Sequence, residues 1–212
     1  MKILVTSGAT REFIDRVRFI SNASTGRLGS LIASRGAEEG FGVEYVHGTA
    51  ACMPRSNELI TCREIISASD LAAELRKRLA DTDIRAVIHP MAVSDFKPAE
   101  IKNGKISGST DKLNLTLVPT PKAVREIRSM RPDIILVSFK LETEISEDEL
   151  IARAQESLRS TGSNAVAANL LEQTNNDESH TAFLVCSDGT IIRSRGKHRI
   201  AEDIISFVRN SL

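Results

Sequence analysis

The sequence predicts an α/β fold: a Rossmann-like, doubly wound, mostly parallel sheet with a late antiparallel β-hairpin. Three observations predict it. Short continuous apolar runs recur along the chain, as expected of strands buried on both faces. Stretches with helical apolar spacing separate them, the alternation of an open parallel sheet. Near the end, Ser187-Asp188-Gly189 joins two strand-like runs, and Asp-Gly is a hairpin turn signal.

Residues 2–6 (KILVT) form the first buried strand. A polar loop follows, and residues 25–39 read as a helix with Leu28, Leu31, Ile32 and Ala37 near one face. Gly40 and Gly42 close it. Strands are expected over 43–46 and 58–62. Residues 67–79 carry Leu71, Leu75 and Leu79 against Arg76, Lys77 and Arg78, an amphipathic helix. Residues 85–89 (RAVIH) form the next buried strand, and 91–111 are too polar and irregular for an element. Residues 113–118 (LNLTLV) alternate with period two, so a half-exposed strand is expected. A helix over 121–130 has Pro in its first turn. A buried strand over 134–139 (IILVSF) precedes a helix opened by a Ser146/Glu149 capping box and running to about residue 160. Residues 165–168 form a short strand, 181–186 and 190–193 the hairpin, and 200–212 a closing helix. No repeat or linker divides the chain, so one domain is expected over 1–212.

The chain has 212 residues, 41% of them hydrophobic, and 28 basic side chains balance 28 acidic ones. That balance argues against bulk binding to nucleic acid or a membrane surface. Cys52, Cys62 and Cys186 lack metal or disulfide spacing and are expected to be reduced. The apolar start is too short for a signal peptide. A soluble, cytoplasmic protein acting on small molecules, with no nucleic-acid or membrane partner, is the expectation.

The stretch VRFISNASTGRLG, residues 17–29, holds the first functional signal. It places Ser24, Thr25, Gly26 and Gly29 where a helix begins after the first strand. Helix N-termini offer unpaired N–H groups, and glycines let an anion reach them. A phosphate cradle is one reading. The other makes Ser24 an N-cap and the glycines spacers for close helix–sheet packing. Neither G-x-G-x-x-G nor G-x-x-x-x-G-K-[ST] is present.

The loop is not isolated. LVTSGATREFIDRVRFISNASTGRLG, MAVSDFKP (residues 91–98), KLNLTLVPTPKAV, SFKLET (138–143) and AANLL (167–171) occur in the order of landmarks in phosphopantothenoylcysteine synthetases, and together the chain resembles that family over about residues 3–170. It is similar to the stand-alone bacterial form, with no flavin. The resemblance implies a ligase joining 4′-phosphopantothenate to L-cysteine through an acyl-nucleotidylate, with CTP favoured over ATP, Mg²⁺ accompanying the triphosphate, and pyrophosphate released. It also implies a homodimer whose flap, around 96–112, reaches near the partner's site.

The resemblance assigns roles by position. Asn22 falls at the reacting carboxyl, and Lys105 would be the catalytic electrostatic contact, the first lysine of a bacterial K-x-K-K motif otherwise missing here. Lys102 or Lys112 could supply further charge. Gly8, Ser24, Gly26 and Gly29 would meet the phosphates. Pro121, Lys122, Ala123, Val124, Phe139 and Asn169 would surround the nucleotide. Met91, Ala92 and Asp95 would meet the substrate, Asp95 also serving the nucleotide. Ser157 and Thr161 stand where some bacterial relatives carry lysines, for which Lys140, Arg153 or Arg159 could substitute. His47, His89, His180 and His198 share no spacing and are expected to be structural or superficial.

Two other functions fit the fold class. An NAD(P)-dependent oxidoreductase is disfavoured by the absent glycine motif and by Tyr45-Val46-His47-Gly48, which has no acidic ribose clamp. A nucleotide-binding module without catalysis would bind CTP or ATP and release no pyrophosphate.

Overall fold

The computed structural model describes residues 1–108, 112–174 and 176–212. Its centre is an eight-stranded sheet in the order β12-β11-β10-β9-β6-β1-β4-β5. The six parallel strands are β1 (Lys2–Ser7), β4 (Gly42–Gly48), β5 (Ile60–Ile65), β6 (Ile84–His89), β9 (Ile135–Glu142) and β10 (Ala165–Leu170). Their order runs outward from β1 through β4 to β5, then restarts on the other side of β1 with β6. That reversal opens a crevice at the carboxyl ends of β1 and β6. The antiparallel β11 (Thr181–Cys186) and β12 (Ile191–Arg195) complete the sheet, so the doubly wound, mostly parallel expectation and its late hairpin are met.

Strand alternation builds the two faces. In β1, Ile3 and Val5 join one core with α1 (Arg27–Glu38) and α5 (Lys197–Ser211), through Ile32, Ile204 and Ile205. Leu4 joins the other with α2 (Ala68–Leu79) and α3 (Ala123–Met130), through Leu71, Leu75 and Ile127. α4 (Glu147–Thr161) covers β10 and β11 with Leu150 and Ala154. Both faces of the inner parallel strands are therefore covered, which is why their sequences read as continuous apolar runs, while the edge strand β5 is exposed over residues 61–64.

Several local expectations change. The loop after β1 contains a hairpin, β2 (Arg11–Phe13) paired with β3 (Phe19–Ser21). Its rings Phe13 and Phe19 meet edge-on at 5.8 Å, and the Arg11 guanidinium lies 4.5 Å above Phe19. Three-residue strands are too short to show a period. The strand expected over 113–118 shrinks to β8 (Leu117–Pro119), paired with β7 (Phe96–Pro98) in the span read as irregular. Leu113 and Leu115 lie exposed, and among the described residues no strand pairs with them. The flap expectation over 96–112 falls partly on 109–111, outside the described residues.

The helix starts also move. α1 is capped by Gly26 in a left-handed conformation (φ 71°) with no side-chain cap, so Ser24 is not its N-cap. Ser146 Oγ accepts from Glu149 N at 3.2 Å, but the Glu149 carboxylate accepts from Arg153 instead of returning to Ser146. The reciprocal box stands on α2, between Ser67 and Asp70. α5 opens at Lys197, three residues before the expected Ile200, because an exposed polar first turn carries no apolar signal.

Candidate functional site

The glycine-rich stretch packs onto the end of β1. Ser7 Oγ donates to Gly26 O at 2.9 Å. A Cβ on Gly26 would lie 2.8 Å from Ser7 Oγ and 2.9 Å from Gly8 N. A Cβ on Gly29 would collide with Ser7 Oγ and lie 2.7 Å from Ser7 Cβ. Gly8 has φ 80°, and a Cβ there would come within 2.6 Å of Ala51 Cβ. Close packing alone thus accounts for all three glycines, Gly26 and Gly29 against the end of β1 and Gly8 against the loop that follows β4. It also brings the start of α1 directly over the β1 end, where first-turn N–H groups have no partner within the helix. Ser24, half-buried, lies just ahead of that turn and donates its N–H to Asn22 O at 3.0 Å.

Asn22 links this cradle to the segment after β6. Its exposed amide Nδ2 donates to Val93 O at 3.3 Å. The segment itself is tied to the β1 extension: Ala92 N donates to Gly8 O at 2.8 Å, and Ser94 N to Thr10 Oγ1 at 3.0 Å. Thr120 then closes on it from the α3 side, its hydroxyl donating to Ser94 O at 2.5 Å and its N–H to Asp95 O at 2.9 Å. Met91 is buried and Ala92 half-buried, while Asp95 is exposed and accepts from Lys122 Nζ at 2.6 Å.

Beyond this segment opens a cleft of about 460 Å³ between the β6 and β9 ends, α3 and α4. It brings together Met91, Asp95, Pro121, Lys122, Ala123, Val124 and Phe139. Ser157, Thr161 and Lys140 also line it, whereas Arg153 is held by Glu142 and Glu149. Phe139 borders the cleft, but its ring packs with the α1–α5 core, since alternation along β9 sends Ser138 and Lys140 to the cleft side. Asn169 shares that sheet face with Phe139 and pairs in register with Leu141, away from the cleft lining.

Lys105 sits in the exposed loop whose base is fixed by buried Asp15. The Asp15 carboxylate accepts from Val17 N and Arg18 N, each at 2.8 Å, from Arg18 Nη1 at 2.5 Å and from Ile106 N at 3.0 Å. Those donors, Ile106 N first, hold its carboxyl well below the ordinary carboxylate range despite burial. Lys105 is thereby tethered through its neighbour to the β2–β3 turn, the hairpin that ends one residue before Asn22. Among the described residues its ammonium makes no hydrogen bond or ion pair with the other candidates. Lys102 pairs with Glu100 at 3.6 Å.

His89, for which the sequence predicts a structural or superficial role, is buried in the cleft wall. Its Nδ1 lies 2.7 Å from Thr6 Oγ1. Burial holds it neutral, with its pKa pushed down to about 4. The strand-end position RAVIH was visible in the sequence, but the pairing with Thr6 across the β1–β6 junction was not.

The chain matches, over residues 1–212, the family described as DNA/pantothenate metabolism flavoprotein C-terminal domain. It is 35% identical over 187 residues to the coenzyme A biosynthesis bifunctional protein CoaBC of Thermococcus kodakarensis, covering 86% of this chain and 44% of that protein. The CoaBC protein of Methanocaldococcus jannaschii is 33% identical over 98% of this chain and 50% of its own length. The chain thus spans about half the length of the curated relatives it matches. Among solved structures, the DNA/pantothenate metabolism flavoprotein from Streptococcus pneumoniae superposes with a TM-score of 0.91 at 32% identity, covering 100% of both chains. A CoaBC C-terminal domain shares the fold, with a TM-score of 0.81 at 24% identity over 99% of this chain and 94% of that one. The chain belongs to the DNA/pantothenate metabolism flavoprotein C-terminal domain family, the family to which the phosphopantothenoylcysteine synthetase motifs in its sequence point.

Proposed function

We propose that this chain catalyses the ligation of 4′-phosphopantothenate to L-cysteine in coenzyme A biosynthesis, using CTP in preference to ATP. The observation that carries the reading is the Asn22–Val93 hydrogen bond, which joins the helix-start cradle to the segment carrying Met91, Ala92 and Asp95. A triphosphate at the α1 N-terminus and an acyl substrate along residues 91–95 would then meet at Asn22. The relatives named for coenzyme A biosynthesis support the pathway.

In the first step the substrate carboxylate oxygen attacks the α-phosphorus, and the bond to the β,γ-phosphates breaks, releasing pyrophosphate. In the second, the cysteine amine attacks the acyl carbon, loses a proton, and expels the nucleoside monophosphate. Asn22 can donate its amide N–H to the acyl oxygen and accept from the amine with its carbonyl. The α1 N-terminus and Lys105 neutralise developing phosphate charge. Mg²⁺ would arrive with the triphosphate. The described residues include no group of three His, Cys, Asp or Glu side chains able to hold a metal, and the cradle consists of hydroxyls, glycines and cations. They do not form a protein-held metal centre.

A homodimer belongs to the same reading. Phe96, Ile101, Leu113, Leu115 and Leu117 stand exposed around the β7–β8 ribbon, a run of apolar surface suited to a second copy. A cytoplasmic location fits the substrates, and no helix among the described residues is long and apolar enough to cross a membrane.

The test is pyrophosphate release with 4′-phosphopantothenate and Mg²⁺, comparing CTP with ATP, with and without cysteine. Substrate-dependent release faster with CTP, and a cysteine-ligated product, are expected. Lys105→Ala should lower the rate about a hundredfold while leaving thermal unfolding unchanged, because the side chain is exposed. Well-folded wild-type protein that releases no pyrophosphate with either nucleotide refutes the ligase reading.

A further inference from the structure

The cleft between α3 and α4 has an uneven distribution of charge. Its two lysines lie at the rim and are already paired, Lys122 with Asp95 at 2.6 Å and Lys140 with Glu142 at 3.0 Å, and the third cation, Arg125, is exposed. Inside, the lining is apolar or neutral, with Met91, Val93 and Val124 beside Ser138 and His89. The hydroxyls are largely occupied with one another. Ser163 Oγ donates to Ser138 Oγ at 2.9 Å, and Thr161 Oγ1 lies 2.8 Å from Ser163 Oγ and donates to Ser157 O at 2.7 Å.

His89 is the exception. Thr6 Oγ1 engages Nδ1, and Nε2 has no hydrogen-bond partner among the described residues. The residue is 5% exposed, and it lines the cleft. An imidazole pinned at one nitrogen has a fixed ring plane and one remaining polar atom. Across from it, the start of α3 offers backbone N–H groups without helical partners. A neutral, half-apolar slot with hydrogen-bonding groups on two walls suits a planar uncharged heterocycle better than a phosphate or an ammonium.

We propose that His89 is a specificity-determining residue that hydrogen-bonds the base of the nucleotide through Nε2, with Thr6 as the positioning residue that orients the ring. The inference rests on the reading of this chain as a nucleotide-dependent ligase. It deepens that reading by giving the nucleotide a direction: base inward under His89, phosphates outward toward the α1 cradle. Burial keeps the imidazole uncharged through the neutral range, so the contact does not vary between pH 6 and 8.

The experiment is calorimetric titration of wild type, His89→Ala, His89→Gln and Thr6→Val with CTP and with inorganic tripolyphosphate, which has the phosphates and no base. His89→Ala should weaken CTP about tenfold, the loss of one neutral hydrogen bond, and leave tripolyphosphate unchanged. His89→Gln, neutral and able to donate or accept, should recover most of that loss, and Thr6→Val should cost about threefold. In wild-type protein labelled at histidine nitrogens, the His89 Nε2 resonance should move with CTP and stay in place with tripolyphosphate. This readout holds even if a variant fails to fold.

Equal weakening of both ligands, or a resonance indifferent to CTP, overturns the assignment and leaves His89 a structural residue. Unchanged CTP binding with weakened 4′-phosphopantothenate binding also overturns it, placing the substrate arm in the slot. Wild type that binds tripolyphosphate as tightly as CTP also overturns the assignment, because the base then adds nothing to binding, whereas the ligase reading fails separately, on the absence of pyrophosphate release.

Discussion

Gly29 and Gly40 are both glycines at the ends of α1, and the structure gives them different reasons. At Gly29 a Cβ would meet the Ser7 side chain, in a buried contact with no room to shift. At Gly40 a Cβ meets nothing within 4 Å, and only φ 84° favours glycine. Gly29→Ala should therefore lower unfolding stability by about 2–3 kcal/mol through overpacking, and Gly40→Ala by about 1 kcal/mol through left-handed strain. Urea denaturation of the two variants measures the difference, and equal losses would remove the packing argument. The same crowding explains why the sequence could not separate a phosphate cradle from a packing device: it requires Gly26 and Gly29 either way. Phe139 was similarly ambiguous. A strand-end ring can face either side of a sheet, and only the register of β9 shows it packed with the α1–α5 core.

At the scale of elements, capping separates serines with the same sequence appearance. Ser67 Oγ accepts from Asp70 N, and the Asp70 carboxylate accepts from Ser67 N at 2.9 Å. Ser24 precedes a helix too, yet the turn begins at Gly26 without it. Ser67→Ala should cost about 1 kcal/mol in chemical denaturation. Ser24→Ala should change stability by less than about 0.5 kcal/mol while weakening nucleotide binding, which titration calorimetry would detect. A destabilised Ser24→Ala would restore it as a structural residue. The hairpin β2–β3 carries the larger lesson for the site. It anchors the Lys105 loop through Asp15 and leads directly into Asn22, so two residues far apart in sequence are tethered to one small element.

For the whole molecule, two buried imidazoles set the acid response. His89 and His180 both have pKa values pushed down to about 4, chiefly by burial, with Lys197 adding to the effect at His180. Neither nitrogen of His180 has a partner among the described residues. Near pH 7 native and unfolded chains both hold these rings neutral. Below the unfolded value of about 6.5 only the unfolded chain binds the protons, so stability falls as pH drops from about 6.5 to 4. Each ring should remove about 2 kcal/mol by pH 5. His180→Leu should halve the difference in unfolding free energy between pH 7 and pH 5, measured by urea denaturation at both. An unchanged difference would show that His180 is protonated or solvated in the native state.

The sequence by itself determined the layered α/β architecture, the order of the major elements, the closing hairpin and the family motifs. These are set by local periodicity, turn chemistry and residue identity, all of which act over a few neighbouring positions. Tertiary structure alone decided which residues share a site. Asn22 reaches Val93, Asp15 anchors Ile106 and Thr6 orients His89 across separations of 71, 91 and 83 residues. It also decided that Leu113 and Leu115 would lie exposed outside β8, which begins at Leu117. The Asn22 and Thr6 contacts depend on the crossover that places β6 beside β1, and the Asp15 contact on the β2–β3 turn meeting the loop after β7. A burial-driven pairing across adjacent strands leaves no periodic trace in either segment's own sequence.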